Sequence, residues 1–195
     1  MSKISLQPNA SGTGTFTLAA PDSNTNRTLT LPDEAGKILT DVGVPTSAMP
    51  AGSVIQVVQS THSTFINSTS ETFFDSGLSA SITPSSTSSK ILVLMSVPMA
   101  ALRQLPPASA AVQILRGATA IYTGRRTPFL NAAGGLSDFV HIQTNMFLSV
   151  LDSPSTSSSV SYKLQVRTED NSSSGSVRVN DTSTASYITL MEIAG

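Results

Sequence analysis

The nine C-terminal residues alternate in a way that predicts a strand with apolar side chains on both faces. Side chains along a strand point alternately to opposite faces. Tyr187, Met191 and Ile193 therefore share one face, while Ile188 and Leu190 share the other. One face can fill the core of a β-sandwich. The other needs a second covering layer, which we expect to be another copy of the chain.

The chain between residue 51 and this strand repeats short alternating runs separated by Ser, Gly and Pro turns. Such runs are typical of an antiparallel sandwich or jelly roll. A helix competes only over residues 108–115, and residues 60–72 are expected to be a loop or an edge strand. The predicted strands cover residues 53–59, 80–84, 91–97, 111–116, 119–122, 139–144, 145–151, 160–167 and 176–180. The inner face over 160–167 is predicted to consist of Val160, Tyr162, Leu164 and Val166.

The first 50 residues have a different pattern, with five prolines and two short alternating stretches. These stretches carry Phe16 and Leu18 in the first and Leu29 and Leu31 in the second. Two apolar side chains on one face are too few to build a core. We expect an extended arm that becomes ordered by docking on other chains, with a flexible tail as the alternative. The expected domains are therefore an arm over residues 1–50 and a head over residues 51–195.

Composition narrows the functional classes. Hydrophobic residues make up 39% of the 195 residues, charged residues only 12%, and the net charge is −1. This balance argues against electrostatic nucleic-acid binding. Because there is no cysteine, disulfides and thiolate metal sites are excluded. No secretory signal follows Met1, and the longest apolar run, 91–97, is too short to cross a bilayer, so we expect no membrane insertion.

Candidate catalytic residues are sparse. His62 and His141 are far apart in sequence, and neither has a third metal ligand beside it. No Gly-x-Ser-x-Gly motif is present. The adjacent carboxylates at 33–34 and 169–170 lie in turn-like sequence. A paired-carboxylate glycosidase stays open, because its residues need be close only in space. The expectation is a protein that is not an enzyme and has no cofactor or metal.

Short motifs occur in the arm at residues 13–18 and 29–36, and in the head at residues 89–93, 115–117, 151–154 and 189–193. The arm motifs resemble those of tail-fibre-like proteins of tailed bacteriophages, and the head motifs resemble the C-terminal head of many of these proteins. That head is similar to the trimeric jelly rolls of the C1q and tumour-necrosis-factor type. The resemblance implies a homotrimeric virion protein that projects from the phage particle and often engages the host surface. From the length of the chain we expect neither a large tail-anchoring domain nor a long shaft, so a head fibre or capsid decoration protein without a receptor role is the alternative.

The expected fold is therefore all-β: an extended N-terminal arm followed by an antiparallel β-sandwich of the jelly-roll, C1q/TNF-like kind, in a homotrimer. The strand with Glu192 requires a partner for that carboxylate, such as Lys90, an arginine or water, because a buried lone charge is costly. The residues expected at the trimer interface are Tyr187, Met191, Ile193, Val93 and Met95.

The expected partners other than the homotrimer follow from the arm and from one loop. The arm should anchor the head on other virion proteins, which would place the protein on the surface of the phage particle after synthesis in the host cytoplasm. Arg125 and Arg126 form the densest positive spot, in a loop with Asn131. Loops carry recognition on rigid β scaffolds. These three residues are the candidate contacts to a host cell-surface glycan or protein, with a solvated loop as the alternative.

Overall fold

The computed structural model describes residues 11–15, 17, 22–26, 28, 46, 49–103, 108–125, 129–130, 140–169, 175–181 and 184–195. By its internal contacts the chain divides into two units, Met1–Leu39 and Thr40–Gly195. The boundary between the two units thus follows Leu39, whereas the sequence predicts a boundary after residue 50. Every described residue of the first unit is exposed and lies outside helices and strands. The two predicted arm strands are therefore not formed at their described positions, 13–15, 17 and 28.

The second unit is built from antiparallel strands, and its described residues include no α-helix, which confirms the all-β prediction. Residues 108–115, for which the sequence left a helix as the alternative, form a strand. The strands are β1 (Val54–His62), β2 (Ile66–Ser68), β3 (Phe74–Ile82), β4 (Lys90–Arg103), β5 (Ala108–Arg116), β6 (Thr119–Gly124), β7 (Phe129–Leu130), β8 (Val140–Asp152), β9 (Val160–Thr168), β10 (Ser176–Val179) and β11 (Ser186–Ile193).

These strands form two sheets, as a sandwich requires. In the first sheet, β4 pairs with β11 and then β10 along one edge, and with β8 along the other. β1 lies outside β11, and β2 lies outside β10. The second sheet has the order β3–β9–β5–β6, with β7 also pairing with β5. The strands β1, β11, β4 and β8 are successive neighbours in the first sheet, and their outward side is the surface that bears on function.

Several strands are longer in the structure than their predicted ranges, among them β3, β4, β8 and β1. The strands expected at 139–144 and 145–151 are one strand, β8, because it pairs with β4 without a break from Val140 to Asp152. The stretch 60–72, expected as a loop or edge strand, continues β1 to His62 and then forms β2, and both are edge strands of the first sheet. Long antiparallel pairing extended β8 and β1 beyond the apolar runs that marked them in the sequence.

The core lies between the two sheets, and alternate side chains of each strand point into it. In β9 the predicted inner face is confirmed, since its four apolar side chains are buried. β11 contributes Ile188 and Leu190 from the opposite sheet, both fully buried. The members of the core from β4 are Ile91, Val93, Met95, Val97, Met99 and Ala101.

A polar cluster joins β8 to the second sheet. Asp152, at the end of β8, accepts hydrogen bonds from Arg116 Nη1 at 2.9 Å and from the Tyr162 hydroxyl at 2.7 Å. Arg116 ends β5 and Tyr162 lies in β9, so the carboxylate contacts two strands of the other sheet. Burial, together with the bond to Asp152, raises the pKa of Tyr162. The cluster therefore fixes the position of one edge strand relative to the core.

The other edge strand, β1, is held against β3 by a close approach. Gly77 has a φ of +79° at an irregularity of β3, a conformation that favours glycine. A Cβ at this position would overlap the His62 ring at the end of β1. His62 is therefore a packing residue that needs the space left by a glycine.

Candidate subunit interface

The outward side of β1, β11, β4 and β8 carries apolar side chains in register. Val57 is directly opposite Met191, Met191 is opposite Leu92, and Leu92 is opposite Leu151. Directly opposite residues of antiparallel strands point to the same face. We call this surface the outer face. It consists of Val54, Val57, Gln59, Thr61, Tyr187, Thr189, Met191, Ile193, Leu92, Leu94, Ser96, Asn145, Phe147, Ser149 and Leu151.

The outer face holds most of the apolar surface that the described residues leave exposed. Of seven exposed large hydrophobic side chains, five lie on it. The most exposed are Phe147 at 74%, Leu151 at 56% and Val57 at 55%. Large contiguous apolar patches on a soluble protein mark interaction sites. The concentration of these side chains on one sheet face indicates a surface that another protein covers.

Charge is nearly absent from the outer face. It contains no carboxylate, and Lys90 lies at one border, opposite Ile193. His141 lies beyond the other border, past Asn145 on β8, within 3.5 Å of Asp181. Its polar residues partly satisfy each other, since Gln59 Nε2 donates to Thr189 Oγ1 at 3.0 Å across two strands. An uncharged face can meet an identical face without electrostatic repulsion. These properties fit contact with a second copy of the chain.

The outward side of the second sheet is different in character. Gln113 donates to Gln165 at 2.6 Å, and Gln165 donates to Asp75 at 2.5 Å, so one polar row crosses three strands. Lys163 adds an ion pair to Asp75 at 2.9 Å. Hydrogen bonds from Gln165 and Lys163 hold the pKa of Asp75 below its ordinary value. Such a hydrated, internally bonded face needs no cover, so the two sides of the sandwich have different roles.

Two of the residues predicted at the interface lie elsewhere. Val93 and Met95 are 0% and 2% exposed and belong to the core of the chain itself, so this prediction is wrong. The alternate residues of β4, Leu92, Leu94 and Ser96, point outward instead. The sequence contained the signal: alternate apolar positions continue without interruption along the inward side of β4, whereas the outward side reaches a serine.

The remaining predicted site residues lie in three places: on the outer face, just after β6, or outside the described residues. Tyr187, Met191 and Ile193 lie on the outer face, and their contact with another subunit stays a prediction. Arg125, just after β6, has a 74% exposed side chain, and its Nε is 3.9 Å from Glu169 Oε1. Outside the described residues lie Arg126 and Asn131 of the loop, and Phe16, Leu18, Leu29 and Leu31 of the arm.

The outer face also includes residues that the sequence did not indicate. Val57, Phe147 and Leu151 lie on the edge strands, in runs with apolar residues at adjacent positions, so the sequence did not show which side chains point outward. Only the pairing register shows that they continue the row begun by Met191 and Leu92. Register depends on contacts between distant segments, so a single sequence gave no direct signal for it.

Glu192 is buried beneath the outer face, and the partners that the structure shows are neutral donors, where the sequence suggested Lys90, an arginine or water. Its carboxylate accepts bonds from Gln56 at 2.5 Å, from the Ser85 N–H and hydroxyl at 2.7 and 2.6 Å, and from the Ser89 hydroxyl at 2.7 Å. Burial alone would raise the pKa of Glu192. Hydrogen bonds to the ionised form outweigh this effect and hold the pKa below its ordinary value. The carboxylate therefore joins the end of β11 to β1 and to the β3–β4 turn.

A cofactor or metal site is not evident among the described residues. No group of three His, Asp or Glu side chains in that part of the chain could hold a metal ion. A cavity of about 330 Å³ lies beside Glu192, and uncharged residues line it: Thr46, Met49, Ile55, Ser85, Ser86, Ser88, Ser89, Ala194 and Gly195. No helix in the described ranges has the length and apolarity to cross a membrane.

Comparison with solved structures gives weak similarities. No protein-family model and no curated protein matches the chain. A solved structure described as "Structure of infectious bursal disease virus Gx strain" matches 73% of this chain and 39% of its own, with 12% identity and a TM-score of 0.28. This chain thus spans less than half of that viral chain. The outer face is therefore interpreted from its residues alone.

Substituting Glu192→Gln should lower the free energy of unfolding by about 1–3 kcal/mol at neutral pH, because an amide cannot accept from all of these donors. The depressed pKa means that the stabilisation by Glu192 is complete above its ordinary value of 4.5 and is lost as pH falls through the folded-state pKa. The difference between wild type and variant should therefore shrink in acid. Urea unfolding at several pH values and one protein concentration measures this.

Glu71→Gln is the matched control, because Glu71 is exposed. It should leave the unfolding free energy nearly unchanged. Equal stability of wild type and Glu192→Gln at neutral pH would contradict the assigned role of the Glu192 carboxylate.

Proposed function

We propose that the protein is a non-enzymatic structural component of a bacteriophage virion. In this proposal three copies assemble through their outer faces, and residues 1–50 anchor the trimer to other virion proteins. The observation that carries the assembly is the apolar, uncharged outer face described above. The phage virion and the number three come from the resemblance of the arm and head motifs in the sequence.

Burial of the outer face would supply the energy of assembly. Fully burying one Val, Leu, Phe or Met side chain stabilises by about 1.5–3 kcal/mol relative to leaving it exposed. Phe147, Leu151, Val57 and Tyr187 each lose much of their exposed surface when another subunit covers them. Three equivalent contacts in a closed ring multiply this gain. The sandwich core needs none of these side chains, so assembly and folding of the head are separable in this proposal.

The arm supplies the attachment. Its described residues between 11 and 28 are exposed and lie outside helices and strands in the single chain. An extended segment of this kind can add to a partner protein and become ordered on binding, at an entropic cost. Three arms on one trimer would bind a virion with higher avidity than one. The arm and the head thus have distinct parts in the proposed fibre.

Host-surface adhesion is a further part of the proposal, and capsid decoration or a head fibre without receptor contact is its alternative. Arg125 supports adhesion, because its exposed guanidinium lies at the end of a sandwich strand where a partner can reach it. Arg126 and Asn131 complete the proposed loop. The adhesion proposal and its alternative both include the trimer and the arm. They differ in whether the loop with Arg125 binds a host glycan or protein.

Light scattering of the wild-type protein at micromolar concentration should give the mass of three chains. Met191→Asp should lower that mass to one chain while circular dichroism still shows a β-fold, because a buried charge at the interface is costly. Ser79→Asp, on the polar outward side of β3, is the control and should stay trimeric. A wild-type monomer would refute the assembly, and a stable Met191→Asp trimer would place Met191 outside the interface.

Deleting residues 1–45 should leave a folded trimer that no longer joins phage particles, because most of the proposed anchoring segment is gone. Incorporation is measured by complementing a phage that lacks the protein and probing purified particles. The double variant Leu29→Asp with Leu31→Asp keeps the full chain length. It should also reduce incorporation, which tests the anchoring role without a deletion. Normal incorporation of the deletion variant would sink the anchoring role.

Purified full-length protein should bind host cells and compete with phage adsorption, and Arg125→Ala should weaken both effects. Ser81→Ala, on the polar outward side of β3, serves as the control and should bind as the wild type does. If the protein does not bind cells, and gold labelling locates it only on the capsid, the decoration alternative replaces adhesion.

A further inference from the structure

The two edges of the four-strand segment β1–β11–β4–β8 are unpaired among the described residues. There β1 pairs only with β11, and β8 pairs only with β4. Each strand therefore presents one row of backbone N–H and C=O groups without a strand partner. Natural proteins protect such edges with proline, lysine or cover, since exposed edges invite further pairing. Neither β1 nor β8 contains proline, lysine or arginine.

The most exposed apolar side chains of the outer face lie on these two edge strands. Phe147 and Leu151 lie on β8 and Val57 lies on β1, whereas Leu92 and Met191 on the central strands are half-buried. A partner that covered only the centre of the sheet would leave these side chains in water. The covering surface must therefore also reach both edges.

Strand direction and register make the two edges complementary. Successive antiparallel pairs give β1 and β4 one direction and β11 and β8 the other. The edges β1 and β8 are thus antiparallel to each other. Val57 and Leu151 lie at the same height along the strand direction, because Met191 and Leu92 connect them as directly opposite residues of successive strands. Thr61 and Phe147 lie at the same height for the same reason, through Tyr187 and Ser96. Rotation about an axis parallel to the strands preserves these heights.

We propose that β1 of one copy lies against β8 of the next around a three-fold axis, with the three outer faces turned inward. The arrangement rests on the homotrimer proposed above and specifies its contacts. Val57 of one copy meets Leu151 of its neighbour, and Thr61 meets Phe147. Such a heterologous contact closes into a ring when the rotation is one third of a turn.

The dimensions of a sheet favour three copies. Four strands spaced about 4.8 Å apart make a triangle side of about 19 Å, which places each sheet about 5.5 Å from the axis. That distance is close to half of the roughly 10 Å between packed sheets, so side chains fill the space. Two stacked copies would leave both edges open, and a square of four would leave an unfilled centre.

Cysteine cross-linking tests the arrangement, because the chain has no cysteine of its own. Val57→Cys with Leu151→Cys, and Thr61→Cys with Phe147→Cys, should form disulfides between chains in the full-length protein under mild oxidation. Dimers and closed trimers should appear on non-reducing gels. Within one copy the two positions are three strands, or about 14 Å, apart. A disulfide needs Cα atoms within about 7 Å, so a bond within one chain is excluded.

The controls separate this arrangement from other assemblies. Each single variant should stay uncross-linked, and a mixture of the Val57→Cys and Leu151→Cys proteins, refolded together, should cross-link. Val57→Cys with Phe147→Cys is offset by four residues, about 13 Å along the strand, and should cross-link poorly.

The outcomes distinguish the two proposals. A trimer by light scattering that forms no Val57–Leu151 disulfide overturns the edge arrangement and leaves the homotrimer standing. Leu151→Cys chains that link to each other show a two-fold contact and also overturn the arrangement. A wild-type monomer overturns both proposals.

Discussion

The architecture depends on one constraint: the first sheet is apolar on both sides, and one chain can bury only one of them. The second sheet covers Ile188, Leu190 and the inward side of β4, which closes the core. The opposite row, from Val57 through Met191 to Leu151, then stays in water in a single chain. Because antiparallel sheets usually present a polar outward side, as the second sheet does here, this apolar side indicates a partner.

Two buried carboxylates give the outer face its fixed geometry. Asp152 holds the end of β8 to the second sheet through Arg116 and Tyr162. Glu192 holds the end of β11 to β1 and to the β3–β4 turn through neutral donors. Buried, fully bonded polar groups of this kind specify one arrangement of their neighbours. The levels of the rows across the sheet, on which a symmetric contact depends, follow from these fixed ends.

The sequence was sufficient for the all-β fold, for most strands and for the inner face of β9, because period-two alternation directly reports a half-buried strand. The sequence was not sufficient for strands that carry apolar side chains on both faces. At β4, the prediction that Val93 and Met95 lie at the interface is wrong, because only packing against the second sheet decides whether they or Leu92 and Leu94 point inward. The partners of Glu192 were also hidden, since Ser85 and Ser89 lie about a hundred residues away. Edge residues such as Phe147 needed the strand register.

Hydroxyl-radical footprinting of the wild-type protein tests most directly whether the outer face is covered in solution. Phe147 is 74% exposed in the single chain, and Phe65, outside the outer face, is 51% exposed. If copies cover the outer face, Phe147 and Met191 are oxidised slowly at micromolar concentration, more slowly than Phe65, and faster after dilution dissociates the assembly. Oxidation of Phe147 as fast as that of Phe65, independent of concentration, would contradict a covered outer face.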